Sequence, residues 1–383
     1  MLTTVLEPDF IAELAANLEH KHPFIQVILG PRQVGKTTGI LGFLEKWRSP
    51  HYYVSADDEL APTQAWVRAQ WQQALLLGSD TLLVIDEIQK VPDWSQIIKG
   101  LWDEQKRKKA RVQLVLLGSS SLQLQQGLHE SLAGRFQLVP ATHWGYFKSR
   151  ALRSMSVHEF VEYGGYPGSY ALLKAPAAWR RYVTTSIVDA VIGKDILNIV
   201  SVQKPALFRQ AFSILMSYPA QEISYTKLLG QLQDSGNTDL IRRYIELYEG
   251  AFIVKTISKY AGKAVLSRTS SPKLIPLCGA LINRDVFLHN DGYGRAFEAA
   301  VGAALVNAGL DPSYWRDGNA EVDYIVTHDN VLYAIEVKSG RTRSRKGLDA
   351  FCAAYPRARQ VFVTPENIEI FWANPRQFLE TLR

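Results

Sequence analysis

Cysteine is scarce in this sequence, and long apolar runs are missing. Only Cys278 and Cys352 occur, far apart and without metal-ligand spacing around them. That excludes a disulfide scaffold or a cysteine-rich metal site and predicts two buried thiols in a reducing compartment. No apolar run approaches the roughly 18 residues of a membrane span, so no membrane partner is expected. Internal repeats and low-complexity linkers are also lacking. The first twenty residues carry Glu7, Asp9, Glu13 and Glu19, and such an acidic amphipathic stretch is neither a signal peptide nor a transit peptide. These absences predict a cytoplasmic globular chain. Its 383 residues, 47% of them hydrophobic, suffice for two to four domains with cores of their own.

The net charge is +6, but it is unevenly spread. Residues 1–149 balance, residues 150–284 carry +8, and residues 285–383 carry −2. A basic middle segment suits contact with a polyanion such as DNA. A solvated basic surface explains the same charge equally well.

The first third alternates short apolar runs with helical stretches. Phe24–Gly30, His51–Ala56, Thr81–Asp86, Val112–Gly118 and Phe136–Val139 read as strands, with helical segments around 38–47, 63–77 and 94–109. Unbroken apolar strands separated by helices predict a parallel sheet covered on both faces.

Gly30-Pro31-Arg32-Gln33-Val34-Gly35-Lys36-Thr37 then fulfils the eight-residue P-loop pattern between a strand and a helix. The glycines let backbone N–H groups face phosphates, and the following helix adds its positive end. The expected ligands are ATP and Mg²⁺. Lys36 is the residue to reach the β- and γ-phosphates, Thr37 the one to bind Mg²⁺, and Thr38 completes the nucleotide-binding set. Leu82–Glu87 independently reads as a buried strand delivering Asp86 to Mg²⁺ through water and Glu87 to the attacking water, at the sheet edge where such folds bind ligands. Ser119 and Ser120, after the next strand, read either as γ-phosphate or water contacts or as a helix N-cap. Arg135 reads either as an arginine finger, acting in a neighbouring copy of a homo-oligomer, or as half of a surface salt bridge.

These features give the chain a family likeness. It resembles prokaryotic AAA+ ATPases that fuse a P-loop core to a winged helix and to a C-terminal domain of restriction-endonuclease-like appearance. The residues that carry the likeness are Gly30–Thr38, Asp86-Glu87-Ile88-Gln89, Leu117–Ser120, Leu132–Arg135, Gly164–Pro167 and Glu336-Val337-Lys338. A serine stands where many AAA+ relatives have asparagine after the fourth strand. The resemblance implies an α/β fold: a P-loop core over residues 1–145, a helical lid over 146–204, a winged helix over 205–284 and a nuclease-like α/β domain over 285–383.

Two further patterns bear on function. Asp323, then Glu336-x-Lys338 on the next strand, resembles the PD-(D/E)xK nuclease core, with Glu298 as the extra acid. Asp323 and Glu336 are the candidate ligands of a second Mg²⁺ or Mn²⁺, and Lys338 the group that orients water. Arg341, Arg343, Arg345 and Lys346 follow as phosphate contacts. Alternating charge on a half-exposed strand, or an inactive scaffold, is the competing reading. In the middle, Ser224–Leu232 and Thr238–Tyr248 form a helix–turn–helix, followed by a hairpin of Ala251–Ile257 and Ala264–Leu266. Lys227, Arg242 and Arg243 would meet DNA, although such modules also bind protein partners. Gly164–Gly168 reads as a hinge. The expectation is an ATP-hydrolysing, DNA-binding protein with nuclease potential, or alternatively a nucleotide switch that binds protein partners.

Overall fold

A computed structural model describes residues 6–20, 23–107, 111–119, 121–197, 204–232, 237–261, 271–340 and 344–382. The chain divides into two compact units, Met1–Thr142 with Asp189–Ser201, and His143–Val188 with Val202–Arg383. No described helix is long and apolar enough to cross a membrane.

The first unit is a five-stranded parallel sheet with helices between its strands. Its strands are β1 (Ile25–Leu29), β2 (His51–Ser55), β3 (Thr81–Asp86), β4 (Val112–Leu117) and β5 (Phe136–Pro140). They lie in the order β2-β3-β4-β1-β5. Every residue of β1 and β3 is buried, which explains why both runs are apolar apart from Gln26, Thr81 and Asp86. The intervening helices are Lys36–Leu44, Gln64–Leu77, Trp94–Gln105 and Ser121–Ser131. Thr63 caps the second by accepting the Trp66 N–H at 3.2 Å. The acidic start forms a further helix, Phe10–Glu19, with Phe10, Ile11, Leu14 and Leu18 buried. This topology sets the ends of β1, β4 and β3 side by side.

The second unit opens with helices Tyr146–Arg153, Val157–Tyr163 and Pro176–Tyr182. Ser156 and Glu159 form a reciprocal capping box on the second. Helices Pro205–Leu215, Tyr225–Gln231 and Thr238–Gly250 follow, with Ser224 and Asn237 capping the last two. They accompany a small antiparallel sheet, order β6-β8-β7, of β6 (Gln221–Glu222), β7 (Val254–Ile257) and β8 (Lys273–Pro276). The hairpin partner of β7 is thus β8, whereas Ala264–Leu266 lies outside the described residues. Helix Gly292–Asn307 then leads into β9 (Ser313–Asp317), β10 (Ala320–His328), β11 (Val331–Val337) and β12 (Arg359–Val363). Their order is β12-β11-β10-β9, with only the β11–β12 pair parallel. Helices Lys346–Ala354, Ile368–Ala373 and Pro375–Glu380 complete it.

One hydrophobic cluster takes in Val161, Ile257 and Ile275 together with Phe297, Tyr324, Tyr333 and Phe371. The stretches expected as lid, hairpin module and C-terminal module therefore share a core. Gly164–Gly168 is a packed corner rather than an open hinge. The Gly165 N–H donates to Cys278 Sγ at 3.2 Å, the Tyr170 hydroxyl donates to the Gly164 carbonyl at 2.9 Å, and Tyr166 is fully buried. Of the two thiols, Cys278 is buried, and burial pushes it up to about 12, while Cys352 is half-buried; neither is in a disulfide.

Candidate nucleotide site and a carboxylate cluster

The loop after β1 curls through two left-handed residues, Gln33 (φ 61°) and Gly35 (φ 87°), before helix Lys36–Leu44 begins. A glycine suits the second position because only it adopts that φ freely. Gly30 is required for space, since a Cβ there would stand 1.8 Å from the Ala141 carbonyl oxygen. Pro31 and Val34 are buried, and Arg32 is half-buried. Lys36 is buried, and its ammonium donates to the carbonyls of Gly30 (3.0 Å) and Pro31 (2.7 Å). The lysine thus lies folded along the loop it serves. Thr37 and Thr38 are exposed at the helix start.

Asp86 ends β3 beside this loop. Its Oδ2 accepts from the Thr37 hydroxyl at 2.7 Å and from the Tyr53 hydroxyl at 3.1 Å, and its Oδ1 accepts from the Glu87 N–H at 2.8 Å. Burial raises the Asp86 carboxyl above its ordinary range, against the lowering effect of the Thr37 bond. A hydroxyl and a carboxylate in contact form a donor set for a hard, oxygen-seeking cation, so the residues present fit Mg²⁺. Burial, then the Asp86 charge, raises the Tyr53 phenol.

Glu87 sits in a left-handed conformation (φ 51°), outside the strand that delivers it. The Ser119 N–H reaches its Oε1 at 3.0 Å, the Ser119 hydroxyl its Oε2 at 2.8 Å, and the Gln89 amide donates to the same Oε2. Ser119 therefore restrains the candidate base from the end of β4. Ser120 lies outside the described residues. Ser121, next in line, donates from its hydroxyl to the Gly30 carbonyl at 2.6 Å.

Arg135 is elsewhere. It precedes β5, and β5 pairs with β1 in the register Ile25↔Phe136 to Leu29↔Pro140. At ~3.3 Å per residue, that puts it roughly 16 Å from the loop after Leu29, at the opposite sheet edge. There its guanidinium makes two 2.9 Å bonds to Asp103. The Asp103 carboxyl is held below its usual range by Arg135.

In the second unit the structure gathers the four expected carboxy-terminal residues. Helix Gly292–Asn307 carries Glu298, β10 carries Asp323, and β11 carries Glu336, followed by Lys338. Asp323 Oδ2 accepts the Val337 N–H at 2.7 Å, and the Lys338 ammonium contacts Glu336 Oε1 at 2.5 Å. The opposite oxygen, Glu336 Oε2, is buried without a hydrogen-bond partner among the described residues. Sequence reasoning missed a fifth member, Lys273 on β8. This side chain is 2% exposed, and its Nζ lies 2.7 Å from Glu298, 3.3 Å from Glu321 and 3.9 Å from Asp323. Burial alone would lower the Lys273 ammonium, but Glu298, Asp323 and Glu321 outweigh it and hold it above its usual range. Burial and the Asp323 charge push Glu298 up to about 8 and Glu336 up to about 7. Burial also raises Asp323. A lone lysine in a strand gives no sequence signal for such a role, nor does Tyr53 among the strand aromatics. Arg341 and Arg343 lie outside the described residues; Arg345 turns to Gln360 instead, at 2.6 Å.

Comparison with known proteins agrees with the first half of this picture. Residues 22–161 match the AAA domain family. Residues 155–277 and 293–379 match two domains of unknown function, DUF8612 and DUF4143. An uncharacterized protein of Mycobacterium tuberculosis is 28% identical over 339 residues, which is 85% of this chain and 72% of the relative. One from Methanocaldococcus jannaschii is 23% identical over 332 residues, 80% of this chain and 73% of the relative. Among solved structures, the Walker-type ATPase of Pyrococcus abyssi has a TM-score of 0.49 at 14% identity, covering 72% of this chain and 93% of that one. The RuvB Holliday junction branch migration motor of Thermotoga maritima has a TM-score of 0.32 at 15% identity, covering 64% and 86%. Residues 22–161, the stretch that matches the AAA domain family, contain the P-loop and lie on the mixed α/β fold described above.

Proposed function

We propose that this protein binds and hydrolyses ATP with Mg²⁺ in its AAA domain and uses the helices of its second unit to hold DNA. The contact between Thr37 and Asp86, beside the folded-back Lys36, carries the first half of this reading. Lys36 exchanges its two carbonyl partners for β- and γ-phosphate oxygens. Backbone N–H groups of residues 30–37 and the helix start cradle the phosphates. Thr37 and Asp86 would hold Mg²⁺, which neutralises charge on the transferring phosphoryl group. Glu87 polarises the attacking water once it leaves Ser119, which thereby governs when the base is available. Arg135 acts only in trans, because the register places it at the far sheet edge of its own copy.

For DNA the support is the order of elements in residues 205–276: helix, short strand, two helices and a hairpin, as in a winged helix. Lys227, Arg242 and Arg243 are exposed on the two paired helices. Beside them a cleft of about 840 Å³ is lined by Tyr225, Arg242, Lys255, Lys259 and Tyr260. Cations interleaved with aromatic rings suit phosphates and bases. Not all the middle-segment charge is available for this: Lys273 is buried, and Arg284 is half-buried against Tyr163, Trp179 and Phe287 and paired with Glu162. Cleavage by the C-terminal cluster is not part of this reading, because Lys273 stands among its carboxylates. The test is ATP turnover with and without DNA, with Lys36→Ala as control, beside DNA affinity at several salt concentrations. Turnover lost in Lys36→Ala and raised by DNA, with affinity falling as salt rises, is the expected result. Turnover indifferent to DNA and affinity negligible at low salt would instead favour a nucleotide switch for protein partners.

A further inference from the structure

The C-terminal cluster has the residue types of a metal-dependent nuclease, yet a lysine from outside that module sits in it. We propose that Lys273 is the resident cation of this cluster, and that the C-terminal α/β fold therefore works without a divalent metal and does not cut nucleic acid.

Position is the first argument. Lys273 belongs to β8 of the hairpin sheet, and its ammonium reaches Glu298 on the helix and Glu321 and Asp323 on β10. A divalent metal on Asp323 would have to approach within roughly 2.0–2.6 Å of a carboxylate that already has the Lys273 ammonium 3.9 Å from its Oδ1, while Glu336, the other expected ligand, is held through Oε1 by Lys338 and keeps only Oε2 unpartnered among the described residues. The Glu298 oxygen that faces Lys273, at 2.7 Å, already serves as the acceptor of an ammonium hydrogen bond.

Confinement is the second. A surface lysine could swing away to admit an ion, but this one is enclosed. Its Nζ lies 5.9 Å from the ring centre of Tyr314 and 5.7 Å from that of Tyr324. The Tyr324 hydroxyl is itself fixed on the Glu298 carbonyl at 2.8 Å, and the Tyr314 hydroxyl on the Ser271 carbonyl at 2.6 Å.

Charge is the third. Glu298, Glu321 and Asp323 face Lys273, Glu336 faces Lys338, and Arg316 is shared between Glu321, at 2.6 Å, and Glu222. The carboxylates are largely balanced before any ion arrives, and a divalent cation beside a buried ammonium is repelled where water cannot screen it. What the cluster gains from Lys273 is a cross-link: one side chain ties the hairpin sheet to helix Gly292–Asn307 and to β10. A nuclease-like constellation has become a rivet between the DNA-facing elements and the α/β part.

The experiment titrates Mn²⁺ into the full chain without nucleotide and follows the free ion by electron paramagnetic resonance. Wild type and the Asp323→Asn, Glu336→Gln double variant should retain the same amount of Mn²⁺, and Lys273→Met should retain more. A wild type that holds Mn²⁺ which the double variant releases overturns the proposal. So does a folded Lys273→Met that gains none. Should Lys273→Met fail to fold, plasmid incubated with wild type and Mn²⁺ decides: it stays intact if the ammonium replaces the metal, whereas cleavage abolished by Glu336→Gln sinks the idea.

Discussion

At the scale of single residues, Glu87 and Ser119 form the most informative pair. Ser119 offers two donors to one carboxylate, so Glu87 is restrained away from the strand direction. Glu87→Gln keeps the shape and most of the hydrogen bonding but cannot polarise water. ATP turnover should drop by about 10²–10⁴-fold, the usual worth of a positioned base, with nucleotide affinity retained. Fluorescent-nucleotide binding beside phosphate release measures both. Glu298 supports a prediction of another kind. Its folded carboxyl titrates at about 8, above the ordinary glutamate range, so the folded state binds the proton more tightly than the unfolded chain does. The stability from that proton is complete below the ordinary range and is lost as pH rises through about 8. Glu336, at about 7, acts in the same direction. The melting temperature should therefore fall between about pH 5 and pH 8, and Glu298→Gln should flatten that slope.

At the scale of elements, sheet order makes the candidate nucleotide site. β1 lies beside β4 and β4 beside β3, so the loop after β1, Ser119 after β4 and Asp86 at the end of β3 share one edge. Gly30, the residue after β1, packs against Ala141, the residue after β5. Gly30→Ala has no room for its methyl group against the Ala141 carbonyl and should cost about 1–3 kcal/mol through backbone displacement, read as a lower denaturant midpoint, with nucleotide binding weakened as well. Most of these elements were legible in the sequence. All five parallel strands were readable: β1, β3 and β4, buried almost throughout, leave largely apolar runs, and the half-buried β2 and β5 keep enough apolar and aromatic residues to stand out between helical stretches. The helix pair at 225–250 was readable because Ser224 and Asn237 cap it. The acidic N-terminal helix was not recognised as a packed element, and β8, Lys273–Pro276, which pairs with β7, was not anticipated, while the expected strand at Ala264–Leu266 lies outside the described residues.

At the scale of the whole molecule, Arg135 gives the clearest prediction. It lies at the sheet edge opposite its own P-loop and is paired with Asp103, both side chains half-buried. If it serves a neighbouring copy, two inactive variants should complement each other. Mixing Lys36→Ala with Arg135→Ala should restore part of the turnover that neither shows alone, and wild-type specific activity should rise with protein concentration. Turnover unaffected by Arg135→Ala would leave the residue as a surface ion pair.

The sequence by itself determined the P-loop, the acidic strand end and the parallel sheet around them. Each of these depends on local spacing: glycines at fixed offsets, four apolar residues before two acids, strands alternating with helices. Tertiary structure alone decided that Ser119 restrains Glu87, that Tyr53 bonds Asp86, and that Arg135 faces away from its own loop. It alone decided the fate of the C-terminal carboxylates, because Lys273 reaches them across about 25 to 50 residues of chain from another sheet. A strand lysine looks the same in sequence whether it meets water or three carboxylates; only packing distinguishes the two.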